Sequence, residues 1–270
     1  MPFAQSGPAQ VWWDSTGQGT PILLINGLSS PSSAWFRLVP LLSPHHQVIT
    51  FDNLGTGKTT APSVPYTIPM LAGAAAAVAH AAEERRTHVL GISLGGLIAQ
   101  QLTLEHPELV TSLTLVSTHA GAPHMSNDKA SLELIAQISE LPEDERTRAL
   151  TKLVHAATTP AERIEEDLAV RARQPTSAEG YRNQVEGTMS WERLQDVHTI
   201  SCPTLVLHGD QDRLVSVSNA QQLAQHIPSA QLTVLPDCGH QLFTDQPERG
   251  ADTVLQFIRS VDGSTDEASG

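Results

Sequence analysis

The chain has few of the residues that mark a metal site, a disulfide framework or a membrane span. Only two of its 270 residues are cysteine, and Cys202 and Cys238 form no CxxC or metal-ligand pattern. Twelve histidines are present, yet none stands in an HExxH or similar spacing, so neither a metal nor another cofactor is expected. Basic residues are few: 16 Lys and Arg against 29 Asp and Glu, a formal charge of −13. That balance repels phosphate backbones and anionic headgroups, and Arg85 and Arg86 are the one adjacent basic pair, so no nucleic-acid or membrane partner is expected. No apolar run approaches the roughly 18 residues of a membrane-spanning helix. The start, Met1 to Ser6, has neither a basic n-region nor an apolar h-region. The expectation is a soluble cytoplasmic protein.

What is present reads as globular. An apolar share of 40% and a charged share of 17% exclude disordered, collagen-like and coiled-coil chains. Short Val, Ile and Leu runs at 22–26, 48–52, 89–92, 113–117, 204–208 and 231–235 alternate with helical patterns, as buried parallel strands with crossover helices do. An antiparallel edge strand is expected near 11–14. Leu94, Leu97, Ile98 and Leu102 mark one helix face; Ala220, Leu223, Ala224 and Ile227 mark a second, and Ala251, Val254, Leu255 and Ile258 a third. Helices are also expected at 70–84 and 33–42.

From 119 to 198 the grammar changes. No strand-like run appears, amphipathic stretches such as 131–141 and 143–157 dominate, and 14 acidic and 9 basic residues crowd in, about half of the chain's charge. This fits an all-helical insertion with much surface in water. The expected organisation is a core at 1–118 and 199–261, a helical cap at 119–198, and a small, acidic, disordered tail at 262–270.

The sharpest motif is Gly91-Ile92-Ser93-Leu94-Gly95, a G-x-S-x-G between an apolar run and a helical pattern. A serine on a strained strand-to-helix turn needs small flanking residues, because its backbone is sparsely allowed and its neighbours approach closely. Such a turn exposes the serine oxygen at the carboxyl end of the strand and aims the amide of Leu94 at a developing oxyanion. A nucleophilic serine needs a base and an orienting acid. Beyond the 204–208 strand comes Gly209-Asp210-Gln211-Asp212, which offers two carboxylates. Beyond the last strand comes Gly239-His240, and His240 is the one histidine in that loop. All three loops fall on the carboxyl edge of a parallel sheet.

With these residues in place, the chain resembles α/β-hydrolase fold serine hydrolases with a helical cap, such as esterases and 3-oxoadipate enol-lactonases, over about residues 10–261. The resemblance implies Ser93 as nucleophile, Asp212 as acid and His240 as base, with Asp210 as a structural neighbour and second choice of acid. It also implies an oxyanion loop at Asn26-Gly27-Leu28, where Asn26 replaces the usual His. The donor there is the Leu28 N–H, and the Asn26 amide is a further candidate donor. Asp52-Asn53-Leu54-Gly55-Thr56-Gly57-Lys58-Thr59 imitates the end of a P-loop, but Asp52 stands where the first glycine belongs. That stretch resembles the family's D-x-R-G-x-G-x-S loop, with Leu54 for Arg, and its expected role is architectural. Cys202 precedes the 204–208 strand and Cys238 follows the parallel 231–235 strand, so they should lie at opposite ends of the sheet, about 16 Å apart and beyond the ~7 Å reach of a disulfide, as free thiols.

The reaction this implies is acyl transfer from a small ester, thioester or lactone to Ser93, then to water. Apolar contacts are expected from Trp35, Met125, Met189 and Trp191, between the sheet edge and the cap. The same triad supports C–C bond hydrolysis or an acyl-transfer or cyclisation step. A receptor that keeps the fold without turnover is the non-enzymatic alternative. Haloalkane dehalogenase and epoxide hydrolase chemistry is disfavoured, since those enzymes carry Asp where this chain has Ser93.

Overall fold

A computed structural model describes residues 3–60, 62–126, 133, 137 and 143–268. Its centre is an eight-stranded sheet in the order β1-β2-β4-β3-β5-β6-β7-β8. The strands are β1 (Phe3–Ser6), β2 (Ala9–Thr16), β3 (Pro21–Ile25), β4 (Gln47–Phe51), β5 (Thr87–Ile92), β6 (Val110–Val116), β7 (Thr204–Gly209) and β8 (Ala230–Leu235). Strands β3 to β8 run parallel, while β2 pairs antiparallel with β4 and β1 with β2. The β1 strand was not expected, because only Ala4 of its four residues is buried and so brief a run shows no alternation.

The near-continuous burial of β3, β5 and β6 on both faces accounts for their wealth of Val, Ile and Leu. Along β3, Leu23 and Ile25 enter one core cluster and Ile22 and Leu24 the other, the period of two that a strand imposes. Helices α2 (Ile68–Ala81) and α3 (Leu94–Glu105) cover the first face; α1 (Val39–Leu42) covers the second. The helix expected at 33–42 is broken into a 3₁₀ turn, Ser32–Arg37, and α1. Pro40 is the cause: without an N–H it cannot continue a helix, and it sits instead in the first turn of α1.

The 119–198 segment contributes α4 (Glu143–Val154), α5 (Ala161–Arg173) and α6 (Ala178–Ser190). Its ends are pinned together by an antiparallel bridge between Gly121 and Glu192 and by Arg193 N–H donating to the Ala120 carbonyl at 3.0 Å. Trp191, Leu194 and Val197 are already in the core cluster, so the chain rejoins the core before residue 198. Most of the 131–141 stretch lies outside the described residues. After β7 come α7 (Val217–His226), the short α8 (Leu242–Asp245) and α9 (Pro247–Ala268). The expected tail from 262 is helical: α9 runs on to Ala268, since extending a formed helix costs far less than nucleating one. Asp262 in this extension lies 3.1 Å from His88 Nε2.

No helix among the described residues is long and apolar enough to cross a membrane. Both cysteines are free thiols. Burial pushes the Cys238 thiol up to about 12.

Candidate active site

Ser93 sits at the junction of β5 and α3 with φ 55° and ψ −121°, a conformation that costs of the order of 1–3 kcal/mol for a residue with a side chain. The surroundings impose it. A Cβ on Gly91 would lie 2.1 Å from the Gly95 carbonyl oxygen, and one on Gly95 would lie 2.1 Å from that of Ile25. Strand β5 therefore turns into α3 with no room for side chains on either flank of the serine. Three hydrogen bonds lock the corner: Ser93 N–H to the Val116 carbonyl, and Gly96 N–H and Thr118 Oγ1 to the Ser93 carbonyl. Leu94 is the first residue of α3, so its N–H has no acceptor within the helix.

Gly27 brings a second loop against this corner. A Cβ there would lie 3.3 Å from Ser93 Cβ, so only the bare backbone passes close to the serine, and Leu28 follows on the cavity wall. The Asn26 amide donates to the Pro31 carbonyl at 2.8 Å. It thus supplies the internal bond that shapes the loop, and that N–H is not aimed at a substrate oxygen. Asn53 Nδ2 donates to the Asn26 carbonyl, and the buried Asp52 accepts from the backbone N–H of Ser32 and of Lys58. The 52–59 loop is a brace for the 26–32 loop, the architectural role its sequence suggests.

Asp212 and His240 meet at the ends of β7 and β8. His240 Nδ1 lies 2.8 Å from Asp212 Oδ2, and Asp212 Oδ1 accepts from the N–H of Leu214 and of Val215. His208 Nε2, which donates to the Val215 carbonyl at 2.8 Å, also approaches Asp212 Oδ2 at 3.3 Å. Burial acts to raise the Asp212 carboxyl, but the two imidazoles at Oδ2 outweigh it and hold the group well below the usual carboxylate range. Asp210, by contrast, is exposed.

Ser93 and His240 open on one cavity of about 440 Å³ between the sheet edge and the helical segment, within the size range of small-molecule sites. Trp35 lines it, edge-on to Phe243 at 6.0 Å. The other three expected apolar contacts do not. Trp191 is buried in the core, donating from Nε1 to Gln101 at 2.7 Å; Met125 and Met189 are exposed on the outside. Met125 and Trp191 lie close to the Gly121–Glu192 bridge and Met189 in the last turn of α6, placements that apolarity alone does not reveal.

Sequence reasoning also missed the groups that tie the helical segment to the site. Gln184 of α6 is fully buried, accepting from Ser29 N–H and donating to the Leu54 carbonyl and Thr56. Asp245 is a buried hub: it accepts from His155 Nδ1, Ala156 N–H and Thr159 Oγ1 on one side and from Gly239 N–H, next to His240, on the other. The available signal was a Gln inside a polar helix and an Asp after Gly239-His240, both unremarkable without the fold. His208 had a clearer one, as an imidazole within an otherwise apolar strand.

A sequence model of the alpha/beta hydrolase fold matches residues 20–247. The chain belongs to that family. Among curated relatives, it is 29% identical to the poly(3-hydroxyalkanoate) depolymerase of Ectopseudomonas oleovorans over 243 residues, 89% of this chain and 84% of that one. It is 26% identical to the 2-hydroxy-6-oxo-6-(2'-aminophenyl)hexa-2,4-dienoic acid hydrolase of Metapseudomonas resinovorans, covering 95% and 90% of the two chains. Among solved structures it is similar to Est816, described as an N-acyl homoserine lactone degrading enzyme, with TM-score 0.81, 25% identity and coverage of 95% and 100%.

Proposed function

We propose that this α/β hydrolase is a serine hydrolase that cleaves a small-molecule carboxylic ester or lactone through an acyl-enzyme on Ser93. The observation that carries the reading is the convergence of a strained serine and a buried Asp–His pair on one cavity. With His240 Nδ1–H donating to Asp212, Nε2 is left as the base, so it takes the Ser93 proton as Oγ attacks the acyl carbonyl. The N–H groups of Leu28 and Leu94 hold the oxyanion, each worth of the order of 3–4 kcal/mol in the transition state. His240 then passes its proton to the leaving oxygen, which departs as an alcohol or, in a lactone, stays tethered as a hydroxyl. Water, deprotonated by the same imidazole, releases the acid and restores Ser93.

The names of the relatives support ester and lactone substrates, and the dienoic acid hydrolase keeps C–C bond cleavage as the second reading. Turnover of p-nitrophenyl esters, an N-acyl homoserine lactone and a dienoic diketone by the wild type and by Ser93→Ala separates them. The proposal expects ester or lactone turnover that Ser93→Ala abolishes. Turnover confined to the diketone favours the second reading, and ester turnover unchanged in Ser93→Ala refutes the nucleophile.

A further inference from the structure

We propose that Arg171 forms an anion subsite in the cavity, and that the substrate carries a carboxylate, or an equivalent anionic group, on an otherwise apolar acyl chain. The inference concerns the substrate of the site above, and only its turnover arm rests on the serine-hydrolase reading.

The cavity-facing side of α5 carries Ile164, Asp167, Leu168 and Arg171, the i, i+3, i+4, i+7 stripe of one helical face. In a helix that merely packs, that stripe is apolar. Here two of its four members are charged, and only one is compensated by the protein. Asp167 is engaged from both sides, accepting from Arg37 Nη2 at 3.3 Å through Oδ1 and from Thr244 Oγ1 through Oδ2. Arg37, also on the wall, is paired a second time with Glu166 at 2.7 Å. Arg171 has no such partner: its guanidinium makes no hydrogen bond or ion pair among the described residues.

A guanidinium carries five donors in a planar fork and stays charged under all ordinary conditions. The Arg171 side chain is half-buried on the cavity wall; taking a guanidinium even partly out of water without a hydrogen-bonded partner is unfavourable, and burial pushes Arg171 down from its ordinary value, with Asp167 opposing. Its place in the last turn of α5 suits a cation there, but an outward-facing residue would serve that end equally. In a chain of formal charge −13, the cavity wall carries two arginines against one aspartate. A bidentate carboxylate supplies the missing partner.

The test has two arms. In the first, adipate, which cannot be turned over, is titrated calorimetrically into the wild type, Ser93→Ala and Arg171→Gln. Binding to the first two with a loss of about tenfold to a hundredfold in Arg171→Gln is expected, the range of a charged hydrogen-bonded pair. Equal binding by Arg171→Gln, or none by the wild type, overturns the subsite. In the second arm, kcat/KM is compared for the mono-p-nitrophenyl ester of adipic acid and for p-nitrophenyl hexanoate. The acid-to-neutral ratio should fall at least tenfold in Arg171→Gln and less in Arg171→Lys, which keeps the charge. An unchanged ratio accompanied by a lower Tm makes Arg171 a packing residue and overturns the proposal. If neither ester is turned over while adipate still binds through Arg171, the serine-hydrolase reading fails and the subsite stands.

Discussion

Two charged side chains near the cavity are treated differently by the regions that hold them. Asp212, in the sheet half, has four donors around its two oxygens: two backbone N–H groups and two imidazoles. Arg171, in the helical half, has a carboxylate one turn away that is already engaged by Arg37 and Thr244. A group that must hold a base in one tautomer has to be fixed in the free protein, so all its hydrogen-bonding capacity is met internally. A group that recognises a ligand has to keep that capacity for the ligand. On the proposed reading, the sheet half supplies the chemistry already assembled, while the helical half supplies a wall whose satisfaction depends on what enters.

This contrast breaks first at Asp212. Asp212→Asn is expected to lower kcat by about 10³–10⁴, because an amide facing His240 favours the wrong tautomer, whereas Asp210→Asn should change it less than threefold; steady-state kinetics that reverse this order would reassign the acid. Next comes Trp191. Buried and hydrogen-bonded rather than facing substrate, its replacement by Ala should cost about 3–5 kcal/mol in denaturant unfolding with little change in substrate preference, and a change in preference at unaltered stability would restore it to the cavity. Asp245→Asn should cost about 1–3 kcal/mol, since one acceptor oxygen is lost among donors that include Gly239 N–H. It should also lower kcat more than it raises KM, because the His240 loop loosens; unchanged stability and kcat would remove Asp245 from that role.

Acid should act in two stages. Burial pushes His119 down to about 4, so between pH 6.5 and 4 the unfolded chain takes up a proton that the folded one refuses, and stability falls as pH falls. Asp212, held low in the fold, contributes stability that is complete above its unfolded value near 3.9 and is lost as pH drops below it. Denaturant melts from pH 7 to 3 should show loss in both windows, and His119→Gln should flatten the upper one. The smallest effect belongs to Met189, 64% exposed: Met189→Ala should stay within about 0.5 kcal/mol.

The parallel core strands were legible because burial on both faces writes itself as apolar runs between turn residues. The elbow was legible because its geometry excludes side chains at Gly91 and Gly95. The strand ends offered His240 and two carboxylates, Asp210 and Asp212; the preference for Asp212, which the structure sets 2.8 Å from His240 Nδ1, came from the family resemblance alone. The cavity wall was not legible. Met125, Met189 and Trp191 look like good ligand contacts on apolarity alone, yet what decides contact is which face of a helix meets the sheet edge. The same is true of Arg171, which reads as an ordinary charge on a polar helix until α5 is seen to turn it inward. The helical end of α9 was missed because small polar residues give no periodicity of their own and are carried by the helix before them.

Ser93 as the nucleophile is most directly tested by labelling with a fluorophosphonate followed by peptide mass spectrometry, on the wild type, Ser93→Ala and Asp212→Asn. A single adduct on the peptide carrying Ser93 is expected, with none in Ser93→Ala and much slower labelling in Asp212→Asn. An adduct on another residue, or labelling that Ser93→Ala leaves intact, would contradict it.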